Sequence, residues 1–144
     1  MIRKARMDDL NELMVYAKEF IDYYPAKLKW NPKHIRGVLF DMVMNHVVLV
    51  DIEDGKIRGS IGGMVNPNHF DPDEIHLAEL FWWVGEDYRK GSVGLKLMQA
   101  FEEVGRILKC TSVVMMTTNL TPTLDKYYKR KGYEHYESTY MRRV

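Results

Sequence analysis

Residues 75–98 read IHLAELFWWVGEDYRKGSVGLKLM, and the order of chemistry within them decides the fold. The first ten, Ile75 to Val84, are rich in aromatic and apolar residues and predict a strand long enough to be central in a sheet. A basic, glycine-bearing turn follows, carrying Arg89, Lys90, Gly91, Ser92 and Gly94. Beyond it, apolar residues recur at helical spacing through Leu97, Met98, Phe101, Val104 or Gly105, and Leu108. Strand, small-residue turn and helix form the layout of an anion cradle. Backbone N–H groups at a helix start have no intrahelical acceptor, and the helix dipole is positive there. Gly91 and Gly94 would let a bulky anion approach the backbone, Ser92 can cap the helix, and Arg89 and Lys90 add charge.

Working outward, CTSVVMMTT at 110–118 reads as a short buried strand. Strand, crossover helix and strand over 76–118 imply one parallel pair. Upstream, HVVLVDIEDGKIRGSIGGMV has the signature of a β-hairpin turning at Asp54-Gly55, which adds antiparallel pairs. Ile2 to Ala5 suits a first strand. A helix beginning at Asp8 or Asp9 carries Leu10, Leu13, Met14, Ala17 and Phe20 or Ile21 on one face, and Pro25 ends it. Asn31-Pro32 reads as an N-cap and first helical residue, opening a second helix through Val38, Leu39, Met42 and Val43. Asn66 to Glu74 is a polar loop. Thr121-Pro122 opens a helix closed by Gly132, and residues 133–144 read as a last strand. The expected order is β-α-α-β-β-β-α-β-α-β. It describes one mixed α/β domain over residues 1–144, in which a mostly antiparallel sheet with one parallel pair is flanked by about four helices.

Composition limits the function classes. Hydrophobic residues make up 46% and charged residues 28%, an ordinary globular balance for 144 residues. With 21 basic and 20 acidic residues, the formal charge is +1. That argues against a protein built to coat nucleic acid or an anionic membrane. The single cysteine, Cys110, excludes an internal disulfide and suits a reducing cytoplasm. No secretory pattern opens the sequence and no segment has the roughly 20 apolar residues of a membrane span, so a cytoplasmic location is expected.

The turn matches neither G-x-x-x-x-G-K-[ST] nor an early G-x-G-x-x-G, which sets aside phosphate-loop NTPases and dinucleotide dehydrogenases. Its residues do resemble the acetyl-CoA-binding motif of the GNAT family of N-acetyltransferases. There a strand precedes Arg or Gln, two residues, Gly, one residue, and Gly or Ala at a helix start. The pattern falls on Arg89, Lys90, Gly91, Ser92, Val93 and Gly94, with Ser92 in place of the first glycine and Gly91 one position early. YYKRKGYEHY at 127–136 is similar to that family's second signature, through Tyr128, Gly132 and Tyr133. IRKARMDDLNEL resembles its opening strand and helix, so the likeness runs over nearly the whole chain.

The resemblance implies an acetyl-CoA-dependent N-acetyltransferase acting on a primary amine, of a small molecule or a protein, by direct attack in a ternary complex. It assigns the pyrophosphate to the amides of Lys90, Gly91, Ser92, Val93 and Gly94, with Arg89 supplying charge. The pantetheine arm would run along Trp82, Trp83 and Val84, beside a splay between that strand and the next. Adjacent strand residues face opposite ways, so the two tryptophans are expected on opposite sides of the sheet, at least one of them in the core. Tyr128 takes the place of the family's general acid. Glu79 is the candidate base: it lies inside the apolar run AELFWWV, where an unpaired carboxylate is costly and burial raises its pKa. A structural ion pair, or a water base, are the alternatives for that step.

The five histidines show no metal-binding spacing, and no metal site is expected. FIDYYPAKLKW and NPNHFDPDEIH are the implied walls of the acceptor pocket, with Asp71, Asp73 and Glu74 suited to a cationic amine. A catalytically inactive acyl-CoA sensor or interaction module of the same fold is the alternative function. The expected last strand would offer an edge for a homodimer.

Overall fold

The structure is a computed structural model describing residues 1–144. Five strands form one sheet in the order β1 (Ile2–Lys4), β2 (Val47–Glu53), β3 (Lys56–Pro67), β4 (Ile75–Val84), β5 (Ser112–Val114). All neighbouring pairs are antiparallel except β4–β5. Four helices accompany it: α1 (Leu10–Tyr23), α2 (Pro32–Asn45), α3 (Val93–Ile107) and α4 (Thr123–Arg130). No helix is long and apolar enough to cross a membrane.

Local chemistry explains the boundaries. Asn31 caps α2, its side chain accepting the His34 N–H at 3.1 Å, and Pro32 occupies the first turn, where a missing donor costs nothing. Asp54 and Gly55 both have positive φ, 50° and 74°, as the tight β2–β3 turn requires. Asp9 precedes α1 without capping it. Its carboxylate instead takes the Arg6 N–H at 2.6 Å and a two-pronged Arg3 contact at 2.7 and 2.9 Å, which ties β1 to α1 and holds the Asp9 pKa below its ordinary value.

Apolar residues alternate across the sheet into two cores. One face buries Val48, Val50 and Ile57 against Leu10 and Leu13 of α1 and Leu39, Met42 and Val43 of α2. The other buries Leu49, Ile61 and Leu77 against Val93, Leu97 and Phe101 of α3. At roughly 1.5–3 kcal/mol per fully buried aliphatic or Phe side chain, these two layers are the main source of stability.

Two expectations are corrected. The strand read over 110–118 pairs only over Ser112–Val114, because from residue 115 the chain diverges from β4. Residues 133–144 form no strand. Their alternation is incomplete and finds no face to bury: Tyr136 is 66% and Tyr140 93% exposed. The pairing edge expected there is therefore missing.

Candidate active site

The divergence of β4 and β5 creates the site. Their register runs His76–Ser112, Leu77–Val113, Ala78–Val114 and stops. Glu79 is the next β4 residue, and its Oε2 reaches across the widening gap to accept the Met116 N–H at 3.0 Å. Tyr128, on α4 and only 7% exposed, donates its hydroxyl to the Met116 carbonyl at 2.9 Å. The two candidate catalytic side chains thus grip the two polar groups of one residue. Burial lifts the Glu79 pKa from 4.5 to about 7, even though the Met116 amide pulls it down. Burial, with the Glu79 carboxylate nearby, pushes the Tyr128 phenol far above the ordinary tyrosine range, so it keeps its proton at any working pH.

A β-bulge brings the remaining β4 residues into line. On β3, Gly62 faces Phe81 and the adjacent Gly63 faces Glu79, so Leu80 is the extra residue. Before the bulge, Leu77 points toward α3; after it, Trp82 and Val84 do, while Phe81 packs toward α1 and α2. Without the bulge, Glu79 and Trp82 would lie on opposite faces. With it, Glu79 shares a face with Trp82, whose ring is 6.5 Å from that of Tyr128. Gly63 is what the bulge demands, since a Cβ there would sit 2.4 Å from the Ala78 oxygen and 2.5 Å from Phe101 Cζ.

Trp83 faces the other way. It packs between Phe20 and Tyr23 of α1 and donates Nε1–H to Glu19 at 2.8 Å. Arg89 folds over its ring at 4.4 Å and donates Nε–H to the Val84 carbonyl at 2.9 Å, fixing the strand's exit into the loop. Lys90 is exposed.

After a short 3₁₀ turn, Glu86–Tyr88, the loop enters α3 through Ser92. The Gly91 N–H is used by the Tyr88 carbonyl at 3.2 Å, and the first helical bond is Lys96 N–H to Ser92 O at 2.9 Å. The amides of Lys90, Ser92, Val93, Gly94 and Leu95 have no acceptor within the protein. Of the amides expected to meet the anion, that of Gly91 is thus bonded within the loop, and that of Leu95, outside the expected set, is free. Ser92 sits at φ −92°, ψ 3°, a conformation open to any residue, so the position does not need glycine. Its hydroxyl makes no capping bond, contrary to the sequence expectation. At Gly94 the backbone comes close to Trp82: a Cβ there would lie 3.3 Å from Trp82 Cζ2, so the ring would have to yield by a few tenths of an ångström.

Between this loop and α4 lies a cleft of about 280 Å³, walled by Trp82, Val84, Gly91, Gly94, Leu124 and Tyr127 and edged by Arg89. Its donor-rich entrance and aromatic wall fit a phosphate-bearing ligand with a long neutral arm. A second, wider cleft of about 620 Å³ opens on the opposite face, with Val38 and Met42 of α2, Met64 of β3 and Leu80 of the bulge as its apolar lining and His34 and Asp41 among its polar residues. It differs from the two loops read as acceptor walls in the sequence. No periodicity signalled it, since it forms where α2 crosses the bulge.

His76, on β4, contacts the Ser112 hydroxyl through Nδ1 and Asn68 through Nε2 at 3.3 Å. Cys110 is partly buried, which pushes its thiol pKa up and away from nucleophilic use.

A family model described as "Acetyltransferase (GNAT) family" matches residues 9–133. No curated protein sequence matches the chain significantly. Solved structures similar to it include an acetyltransferase from Trypanosoma brucei (16% identity, all of this chain and 99% of that one covered, TM-score 0.77). Another is a possible acetyltransferase from Clostridium difficile (14%, 100% and 97%, TM-score 0.81). A third is an aminoglycoside N-acetyltransferase in complex with CoA (15%, 100% and 93%, TM-score 0.77).

Proposed function

The chain belongs to the GNAT family of acetyltransferases, and on that premise we propose that it transfers an acetyl group from acetyl-CoA to a primary amine. The observation that carries this reading is the convergence of Glu79 and Tyr128 on Met116, with the Tyr128 ring 6.5 Å from that of Trp82, which walls the cleft beside the free helix-start amides. Acetyl-CoA supplies an activated thioester carbonyl. The amides of Lys90, Ser92, Val93, Gly94 and Leu95 bind the pyrophosphate, with Arg89 and Lys90 adding positive charge. The backbone of Trp82, Trp83 and Val84 lines the path of the pantetheine arm.

Two proton movements remain. An amine is a nucleophile only once it loses a proton, and Glu79, with a pKa of about 7, is the base: about half ionised at neutral pH, and basic enough to accept. The departing sulfur gains from a proton, and Tyr128 keeps one to give. The acceptor enters through the wider cleft on the α2 face, which Leu80 lines, and meets Glu79 across the gap where β4 and β5 part.

The test is thiol release from acetyl-CoA on addition of primary amines, run beside Glu79→Gln and Tyr128→Phe. The proposal expects amine-dependent release that each substitution lowers by about 100-fold or more. Binding of acetyl-CoA without release for any amine would instead support a catalytically inactive acyl-CoA-binding member of the fold.

A further inference from the structure

Two polar side-chain atoms are sealed from solvent without any hydrogen-bond partner: Trp82 Nε1 and the Tyr127 hydroxyl. They belong to residues on different elements, β4 and α4, and both residues wall the same cleft. An unpaired buried donor is costly, and native proteins keep few of them. Two bordering one cleft mark a place where something else completes the bonding.

The chemistry of the pair narrows the partner. An indole N–H can only donate, and a phenol donates most readily, so the complement is a hydrogen-bond acceptor. Phosphate oxygens are already provided for by the free amides at the α3 start, so a neutral acceptor is the group left for these two donors. Position narrows it further. The pair lies between the free amides of the α3 start and Tyr128, whose ring is 6.5 Å from Trp82 and 6.1 Å from Tyr127. A ligand with phosphates at the loop and a thioester at Tyr128 has its amide carbonyls at this middle depth.

We propose that Trp82 Nε1–H and the Tyr127 hydroxyl are donors held for the amide carbonyls of the pantetheine arm, which they bind as β4 and α4 part to admit it. The proposal rests on the acetyl-CoA reading above. It makes the ligand-free protein carry an unmet bonding cost that the arm removes, so Tyr127 favours ligand at the expense of stability. It also explains why a residue facing α3 inside an apolar layer is a tryptophan rather than an aliphatic.

The experiment is calorimetric titration of the wild type and Tyr127→Phe with acetyl-CoA and, separately, with ADP, which has a pyrophosphate but no arm. Thermal unfolding of the free proteins accompanies it. Tyr127→Phe is expected to weaken acetyl-CoA binding by about five- to tenfold, leave ADP unchanged, and raise the free protein's Tm by a few degrees, since an uncompensated hydroxyl is gone. Trp82→Phe should act in the same direction on acetyl-CoA, but it also alters packing on Gly94 and Tyr128, so Tyr127→Phe decides. Unchanged acetyl-CoA affinity in a wild type that binds it, a parallel loss for ADP, or a less stable free variant would overturn the assignment alone. A folded wild type that does not bind acetyl-CoA would overturn the reading beneath it as well.

Discussion

Replacing Glu79 by Gln should stabilise the protein, and by an amount that depends on pH in one direction. Burial lifts this carboxyl from 4.5 to about 7 in the folded state. The folded protein therefore binds more protons than the unfolded chain between those values, and stability falls as pH rises through that window. At 1.36 kcal/mol per pKa unit, the penalty is about 3 kcal/mol once pH exceeds 7, and absent below about 4.5. Glutamine has the same shape, still accepts the Met116 N–H through Oε1, and carries no charge to desolvate. Its Nε2 needs an acceptor that the carboxylate did not, so the absolute difference is offset by part of that cost. The pH dependence of the difference is unaffected, because every other titrating group is common to both proteins. Urea unfolding of both proteins at half-unit steps from pH 4.5 to 8 measures it. The variant-minus-wild-type stability should climb by about 3 kcal/mol and level off above pH 7, on the order of 10 °C in Tm for a chain of this size. A flat difference, or one that falls with pH, would refute the claim that this carboxyl is buried without a compensating charge.

Four further outcomes follow from the same geometry. The pH profile of kcat/KM should rise through an apparent pKa near 7 and flatten above it, since the base must be ionised, and Glu79→Gln should abolish that limb. Tyr128→Phe should lower kcat about 100-fold with little change in KM, and cost about 1 kcal/mol in urea unfolding for the bond lost to Met116. Ser92→Gly should leave acetyl-CoA affinity within about twofold by calorimetry, because φ −92° makes no demand for glycine, while costing about 0.5–1 kcal/mol of stability. Gly63→Ala should destabilise by about 1–3 kcal/mol or more and lower activity disproportionately, since its Cβ strikes the Ala78 carbonyl at the bulge that aligns Glu79 with Trp82.

What was legible in the sequence was the part governed by local rules. The Asn31-Pro32 start and the Asp54-Gly55 hairpin each combine a periodicity with a capping or turn residue and are found where those rules place them, and the β4–loop–α3 unit follows its periodicities although Ser92 does not cap the helix. The strand at 110–118 is shorter than its composition suggests, because apolar character cannot distinguish a residue in a ladder from one that leaves it to open a gap. The last strand does not form because YEHYESTYMRRV has aromatic residues but no face to bury them against. In the site, the charge-poor surroundings of Glu79 were visible in AELFWWV. The bulge at Leu80 was not, since alternation gives no sign of an extra residue until pairing is known. Nothing in the sequence sets Tyr127 apart from Tyr128, because an orphan hydroxyl is a property of the packed structure alone.

Calorimetric titration of the purified protein with acetyl-CoA, at two salt concentrations and beside Gly94→Glu, tests the central claim most directly. The account predicts saturable one-to-one binding, weaker at high salt because charge and helix-start amides hold the pyrophosphate. The variant should lose that binding, since its side chain would bring negative charge to the amides and displace Trp82 from the cleft wall. A folded wild type that gives no binding heat, or a variant that binds as well as the wild type, would contradict it.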